Sequence, residues 1–207
     1  MKTTIINIKL FTLCLFSFLH TFCVAQNGDS EYGYKRVSIV LGLQFHSFAM
    51  PFNNFESNFE HPGIFVSPEI SYNKKGTLFQ QATLGTYLNR EIGNGIYFGS
   101  QLGYRQNIFG SIYGEFKAGL SYLRVFHPTR AFRYLDGSWN ETKGGKSQLG
   151  IPIDFGFGYS FSTRFGQLAP HIIYQVTPAL FYNESIPVNF YTNVIFGLRI
   201  KFLKNKQ

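Results

Sequence analysis

His46 and Ser47 stand side by side, and Glu56, Glu60 and His61 follow shortly after. Serine, histidine and carboxylate are what a hydrolase or acyl transferase needs, with the base touching the hydroxyl and the acid touching the base. The spacing opposes that reading. Neighbouring strand residues project to opposite faces, so His46 is turned away from Ser47, and nothing selects another serine. No catalytic residue is assigned, and His46 is read as capping an interior. His61, His127 and Glu60 are types that bind divalent ions, but no metal-ligand spacing joins them, so no metal and no cofactor is assigned. Gly144, Gly145, Lys146 and Ser147 copy only the end of a phosphate loop, without the strand–loop–helix context it requires.

A second set of chemically capable residues is more orderly. Glu69, Arg105, Glu115, Lys117, Asp154, Arg199 and Lys201 occur singly, each beside at least one apolar residue. If those segments are strands, all seven fall on the face opposite the apolar one, alongside Gln44, Gln101, Gln175 and His171. Three acids and four bases in a confined interior predict a charge network that fills it, because buried charges must pair. A third set lies between the strands. Phe52 and Phe55 in one link, and Arg130, Arg133 and Trp139 in another, are candidate surface contacts for a glycan, lipid or protein. The surplus of Arg and Lys in 127–147 suits anionic lipopolysaccharide, and no nucleic-acid motif accompanies it.

The elements that must carry these residues follow from composition. Of 207 residues, 44% are apolar, 18% aromatic and 14% charged, where an ordinary soluble domain is about 25% charged. Abundant aromatic residues exclude disorder, and 24 Phe, 13 Tyr and 21 Gly favour strands over helices. Mean hydropathy is −0.05, so apolar and polar residues must be interleaved.

The first 25 residues read as a secretory signal peptide. Lys2 and Lys9 precede an apolar run over 10–22, and small residues lead to a cut after Ala25. The run is shorter than the roughly 20 residues of a spanning helix. Cleavage removes Cys14, Cys23 and two lysines, leaving no thiol and lowering the formal charge from +8 to +6. A short segment 26–36 precedes a barrel over 37–202, and 203–207 form a tail.

Eight segments alternate with period two, over 37–47, 63–73, 77–89, 96–106, 111–126, 148–161, 168–182 and 188–202. Their length suits tilted transmembrane strands, and strands can cross lipid only as a closed barrel. The links 48–62, 90–95, 127–147 and 183–187 fall on one side, and 74–76, 107–110 and 162–167 on the other. Both long links share a side, as outer loops do. Pro68, Pro152, Pro170 and Pro178 lie inside the segments, where each interrupts the strand and removes a ladder hydrogen bond, leaving the local register least determined near Pro170 and Pro178.

Signal peptide, eight alternating strands and an aromatic final strand together resemble the small outer-membrane β-barrels of Gram-negative bacteria, the OmpA- and OmpX-like and Bacteroidota porin-like family. Gly197, Ile200 and Phe202 match the family's barrel-assembly signal, although Ile195 occupies its polar position and Leu203 to Gln207 follow the aromatic. The resemblance implies an outer-membrane protein of the cell envelope, inserted by the barrel-assembly machinery and surrounded by lipid and lipopolysaccharide. It implies an all-β, eight-stranded antiparallel barrel with a packed polar lumen and a structural or surface-interaction role, not an enzyme. Two alternatives stand beside it. One is an outer-membrane enzyme acting on lipid A acyl chains. The other is a soluble secreted barrel with its apolar faces turned inward around an apolar ligand.

Overall fold

The computed structural model describes residues 34–47, 59–90, 93–126, 131–135, 137–142, 145–164, 166–180 and 188–203. Residues 1–25, expected to be a signal peptide, and 26–33 lie outside them, as do Phe52, Phe55 and Arg130. Twelve strands are present: β1 (Tyr34–Ser47), β2 (His61–Ser71), β3 (Leu78–Tyr87), β4 (Asn94–Phe109), β5 (Ile112–Phe126), β6 (Ala131–Leu135), β7 (Ser138–Thr142), β8 (Lys146–Gly150), β9 (Ile153–Tyr159), β10 (Phe161–Thr163), β11 (Gly166–Leu180) and β12 (Val188–Leu203). β8, β9 and β10 share one position in the sheet, so the principal strands make a ring of eight staves. Each pairs antiparallel with its chain neighbours, and β12 closes on β1 with Leu43 opposite Phe196 and His46 opposite Asn193.

Closure removes the edges that an open sheet would expose. It also separates two surfaces by parity. One residue from each stave shows the outer surface: Leu43, Ile64, Leu84, Leu102, Phe116, Phe157, Ile172 and Phe196 are all exposed. Their strand neighbours Gln44, Gly63, Thr83, Gln101, Glu115, Gly156, His171 and Ile195 are buried inside. This overturns the soluble alternative, because its inward apolar faces are the ones that point out.

Prolines determine where the sixth stave breaks. A single strand over 148–161 was expected, and three pieces are found. Pro152 has no N–H to give, and the gap between β8 and β9 lies opposite Pro178 of β11, whose carbonyl accepts from Ile151 N at 2.9 Å. The gap after Tyr159 lies opposite Pro170, between the His171–Gly158 and Leu168–Phe161 pairs. The register itself does not slip. Gly150 and Ile153 keep one alignment with Ser121 and Ala118 of β5, and with Ala179 and Val176 of β11. β11 is likewise continuous, pairing Pro170 with Leu198 and Pro178 with Phe190. The register left undetermined near these prolines is therefore continuous, and the interruption falls on the ladder of the sixth stave.

The links differ in detail from the expected ones. The 107–110 link contracts because β4 runs on to Phe109, which pairs with Ile112 around Gly110 at φ +54°. In the long link between β5 and β8, β6 and β7 form a separate hairpin, with Leu135 opposite Ser138 and Gly137 at φ +81°. That left-handed conformation suits glycine.

Candidate functional site

Five of the eight staves send charges to a common level of the lumen. Glu69 is on β2, Arg105 on β4, Glu115 and Lys117 on β5, Asp154 on β9 and Arg199 on β12. Arg105 holds Glu69 with two parallel bonds, Nη1 to Oε1 at 3.2 Å and Nη2 to Oε2 at 2.8 Å. Its Nε donates to Glu115 Oε2 at 3.0 Å. Arg199 reaches the same two acids, Glu69 through Nε at 2.9 Å and Glu115 through Nη2 at 2.7 Å. Lys117 Nζ lies 3.1 Å from Asp154 and 3.9 Å from Glu115. Three acids meet three bases, so the cluster is formally neutral. Neutrality matters here, because an unpaired charge in a dry interior is strongly unfavourable.

Neutral side chains complete the cluster. Ser38 Oγ donates to Glu69 Oε1 at 3.1 Å, Lys117 donates to Gln81 Oε1 at 3.0 Å, and Gln175 Nε2 donates to Asp154 Oδ1 at 2.9 Å. Asn193 Nδ2 then donates to Gln175 Oε1 at 2.8 Å, so the chain of polar contacts climbs away from the charges. Two aromatic rings support the guanidinium groups. Arg105 lies 4.1 Å from the centre of the Phe79 ring, and both arginines lie 5.5 Å from that of Tyr113. Arg199 Nη1 also donates to the Tyr113 hydroxyl at 2.8 Å.

Those rings fit only because glycines face them across the ladder. Phe79 pairs with Gly103, and Tyr113 with Gly158. A Cβ on Gly103 would lie 2.2 Å from Phe79 Cζ, and one on Gly158 would lie 2.3 Å from Tyr113 Cζ. The same device recurs where Tyr97 covers Gly85, Tyr87 covers Gly95 and His171 covers Gly197. Glycine in a strand marks a close approach of this kind.

Above the charges the interior changes character. His46 stacks on Tyr87 with centroids 3.8 Å apart and planes 3° from parallel. Tyr87, Leu123, Val125, Ala179 and Tyr191 form an apolar layer there. His46 is cross-strand from His61 as well as Asn193. Neither of its ring nitrogens bonds a protein atom, and Ser47 lies on the other face of β1. Among the described residues no three His, Cys, Asp or Glu side chains converge as metal ligands.

Of the seven charges singled out from the sequence, six meet in this cluster. Lys201, the next inward position after Arg199 on β12, lies within electrostatic reach of Glu69, Arg105 and Arg199, with its Nζ 3.5 Å from the place a Gly76 Cβ would occupy. Phe79, Tyr113 and Gln81 were missed as partners. Tyr113 was legible, being in step with Glu115 and Lys117, whereas Phe79 looked like an ordinary apolar strand residue. Arg133 and Trp139 belong to the β6–β7 hairpin, but their side chains are outside the described residues. Gly197, Ile200 and Phe202 all lie on β12, with Gly197 inward and Phe202 outward and exposed.

No family model matches the chain, and no curated protein matches it. Solved structures do resemble it. Neisserial surface protein A has 15% identity and a TM-score of 0.52, covering 82% of this chain and 99% of its own. The N-terminal β-barrel domain of Pseudomonas aeruginosa OprF has 10% identity and a TM-score of 0.46, over 80% of this chain and 98% of its own. Ail, the attachment invasion locus protein of Yersinia pestis, has 13% identity and a TM-score of 0.44, over 80% and 97%. At 15% identity the likeness to Neisserial surface protein A bears on the fold alone, a small eight-stranded antiparallel β-barrel.

Proposed function

We propose that the chain is an outer-membrane β-barrel of the Gram-negative envelope, with a structural or surface-interaction role and no catalytic one. The observation that carries this reading is the pairing of an exposed apolar belt on every stave with a charge-neutral cluster across the lumen. Such a belt is stable in lipid and a liability in water. The cluster supports a plug, since each guanidinium bridges both glutamates and is pinned against aromatic rings.

Lipid and lipopolysaccharide are the immediate surroundings in this reading, and the barrel-assembly machinery inserts the chain after removal of residues 1–25. Phe52, Phe55, Arg130, Arg133 and Trp139 are the proposed contacts for a surface glycan or protein. The stacking of His46 on Tyr87, away from Ser47, supports a non-catalytic role. Membrane fractionation with gel mobility before and after boiling tests the proposal. The expected result is recovery with the outer membrane and a folded band that shifts on heating. Recovery in the soluble periplasmic fraction would overturn it, and an altered lipid A acyl pattern on deletion of the gene would replace it with the enzymatic reading.

A further inference from the structure

Between the charged cluster and the apolar layer lies a chamber of about 40 Å³, its walls including His46, Gln101 and Asn193. Small side chains make the room: Thr83, Gly99, Ser121 and Thr177 line it from four staves. Among the described residues no charged side chain does. One water molecule needs about 10–15 Å³ by this measure, so the space suits about three. A second cavity of about 10 Å³ adjoins it through Thr83, Tyr97, Gln101 and Gln175, and reaches Lys117 and Asp154.

Three walls of the chamber carry polar atoms that no protein group satisfies. They are both ring nitrogens of His46, Nε2 of Gln101 and Oδ1 of Asn193, on side chains of residues 2%, 4% and 7% exposed. A buried polar atom without a partner costs about 1–3 kcal/mol, and four such atoms around one space are not an accident of packing. An imidazole both donates and accepts, Gln101 Nε2 donates and Asn193 Oδ1 accepts.

We infer that the chamber is a built site for small neutral molecules that both donate and accept hydrogen bonds, either water or a small hydroxyl- or amide-bearing solute. Ions are disfavoured, because the lining offers neutral dipoles and no countercharge. Water here would extend the Asn193–Gln175–Asp154 chain and end at the Arg105–Arg199 plug, making the site a blind vestibule. The inference requires only the closed ring, and it stands whether or not the barrel resides in the outer membrane.

Hydroxyl-radical footprinting of the folded full-length mature protein in detergent tests it, since buried side chains beside bound water are oxidised. Tyr191 lines the chamber, whereas Tyr113, equally buried at 2%, lies in the charged cluster and supplies the control. Oxidation of Tyr191 several-fold faster than Tyr113 supports the site, and Ser121→Leu, which fills the space, should abolish the difference. Saturation-transfer NMR with acetamide separates the two occupants. A signal lost in Ser121→Leu assigns a solute site, and oxidation without a signal assigns water alone. Tyr191 as unreactive as Tyr113 in the wild-type protein would overturn the inference, whatever the variant does.

Discussion

Arg199 Nη2 lies 2.7 Å from Glu115 Oε2, joining β12 to β5, two staves that are not neighbours in the ring. The bond therefore crosses the lumen, and backbone pairing cannot substitute for it. Removing one partner leaves the buried cluster one charge out of balance, although Arg199 keeps Glu69 and Glu115 keeps Arg105; breaking a buried pair costs up to about 3–5 kcal/mol. Glu115→Gln and Arg199→Gln should each lower the unfolding midpoint in detergent. The double variant leaves Glu69 with Arg105 and Asp154 with Lys117, so it should lose clearly less than the sum of the two. A double-mutant cycle checks this. Additive losses would mean that the pair is not coupled.

Phe79 and Gly103 form the second testable relationship. The ring occupies the volume above the glycine, and it also carries the Arg105 guanidinium. Gly103→Ala should destabilise the barrel by about 1–3 kcal/mol, the usual range for overpacking. Adding Phe79→Leu frees the space and should recover part of that loss, though not all, because the stack under Arg105 is weakened. Urea unfolding of the three variants measures both effects. A fully tolerated Gly103→Ala would show that the ring can move aside.

The outer belt gives a third expectation. Leu43 is 54% exposed and lies between Phe196 and Ile64 on the adjoining strands, both exposed. Arginine there should cost about 2–4 kcal/mol if the position lies near the middle of a bilayer, and little if it faces water. Refolding of Leu43→Arg into lipid vesicles, followed by gel shift, distinguishes the two.

The period of two made most of this architecture readable. It assigned Leu43, Ile64 and Phe196 to one surface and Glu69, Glu115 and Arg199 to the other without any knowledge of contacts. Pairing across the lumen was not readable, because it depends on the stagger between staves, which alternation within a strand does not encode. Arg199 shows the gap: parity places it in the lumen, but only the closed ring reveals that it spans from β12 to Glu115 of β5. The prolines show the converse. Pro152, Pro170 and Pro178 were visible as missing donors, but only the register reveals that Pro170 and Pro178 of β11 face the two breaks in the sixth stave. The chamber was hidden for a further reason, since Gln101 and Asn193 look like any polar lumen residue until their unsatisfied atoms are located.

Gly197 and Phe202 were grouped by sequence as parts of one assembly signal, but the fold gives them different tasks. Gly197 faces the lumen, where a Cβ would come within 2.2 Å of His171 Nε2. Phe202 faces outward near the end of β12, paired with Gly166. Substituting Gly197 should therefore damage the folded barrel itself. Gly197→Ala is expected to lower stability after refolding of purified protein in detergent, by about 1–3 kcal/mol, and His171→Ala should restore much of it. Phe202→Ala leaves the lumen untouched. Its expected effect is slower appearance of the heat-modifiable form in cells, with little change in the stability of the purified barrel. Measuring both variants in cells and after refolding separates the roles. If Gly197→Ala impairs assembly in cells while the refolded protein is as stable as wild type, Gly197 acts in assembly and its contact with His171 is incidental.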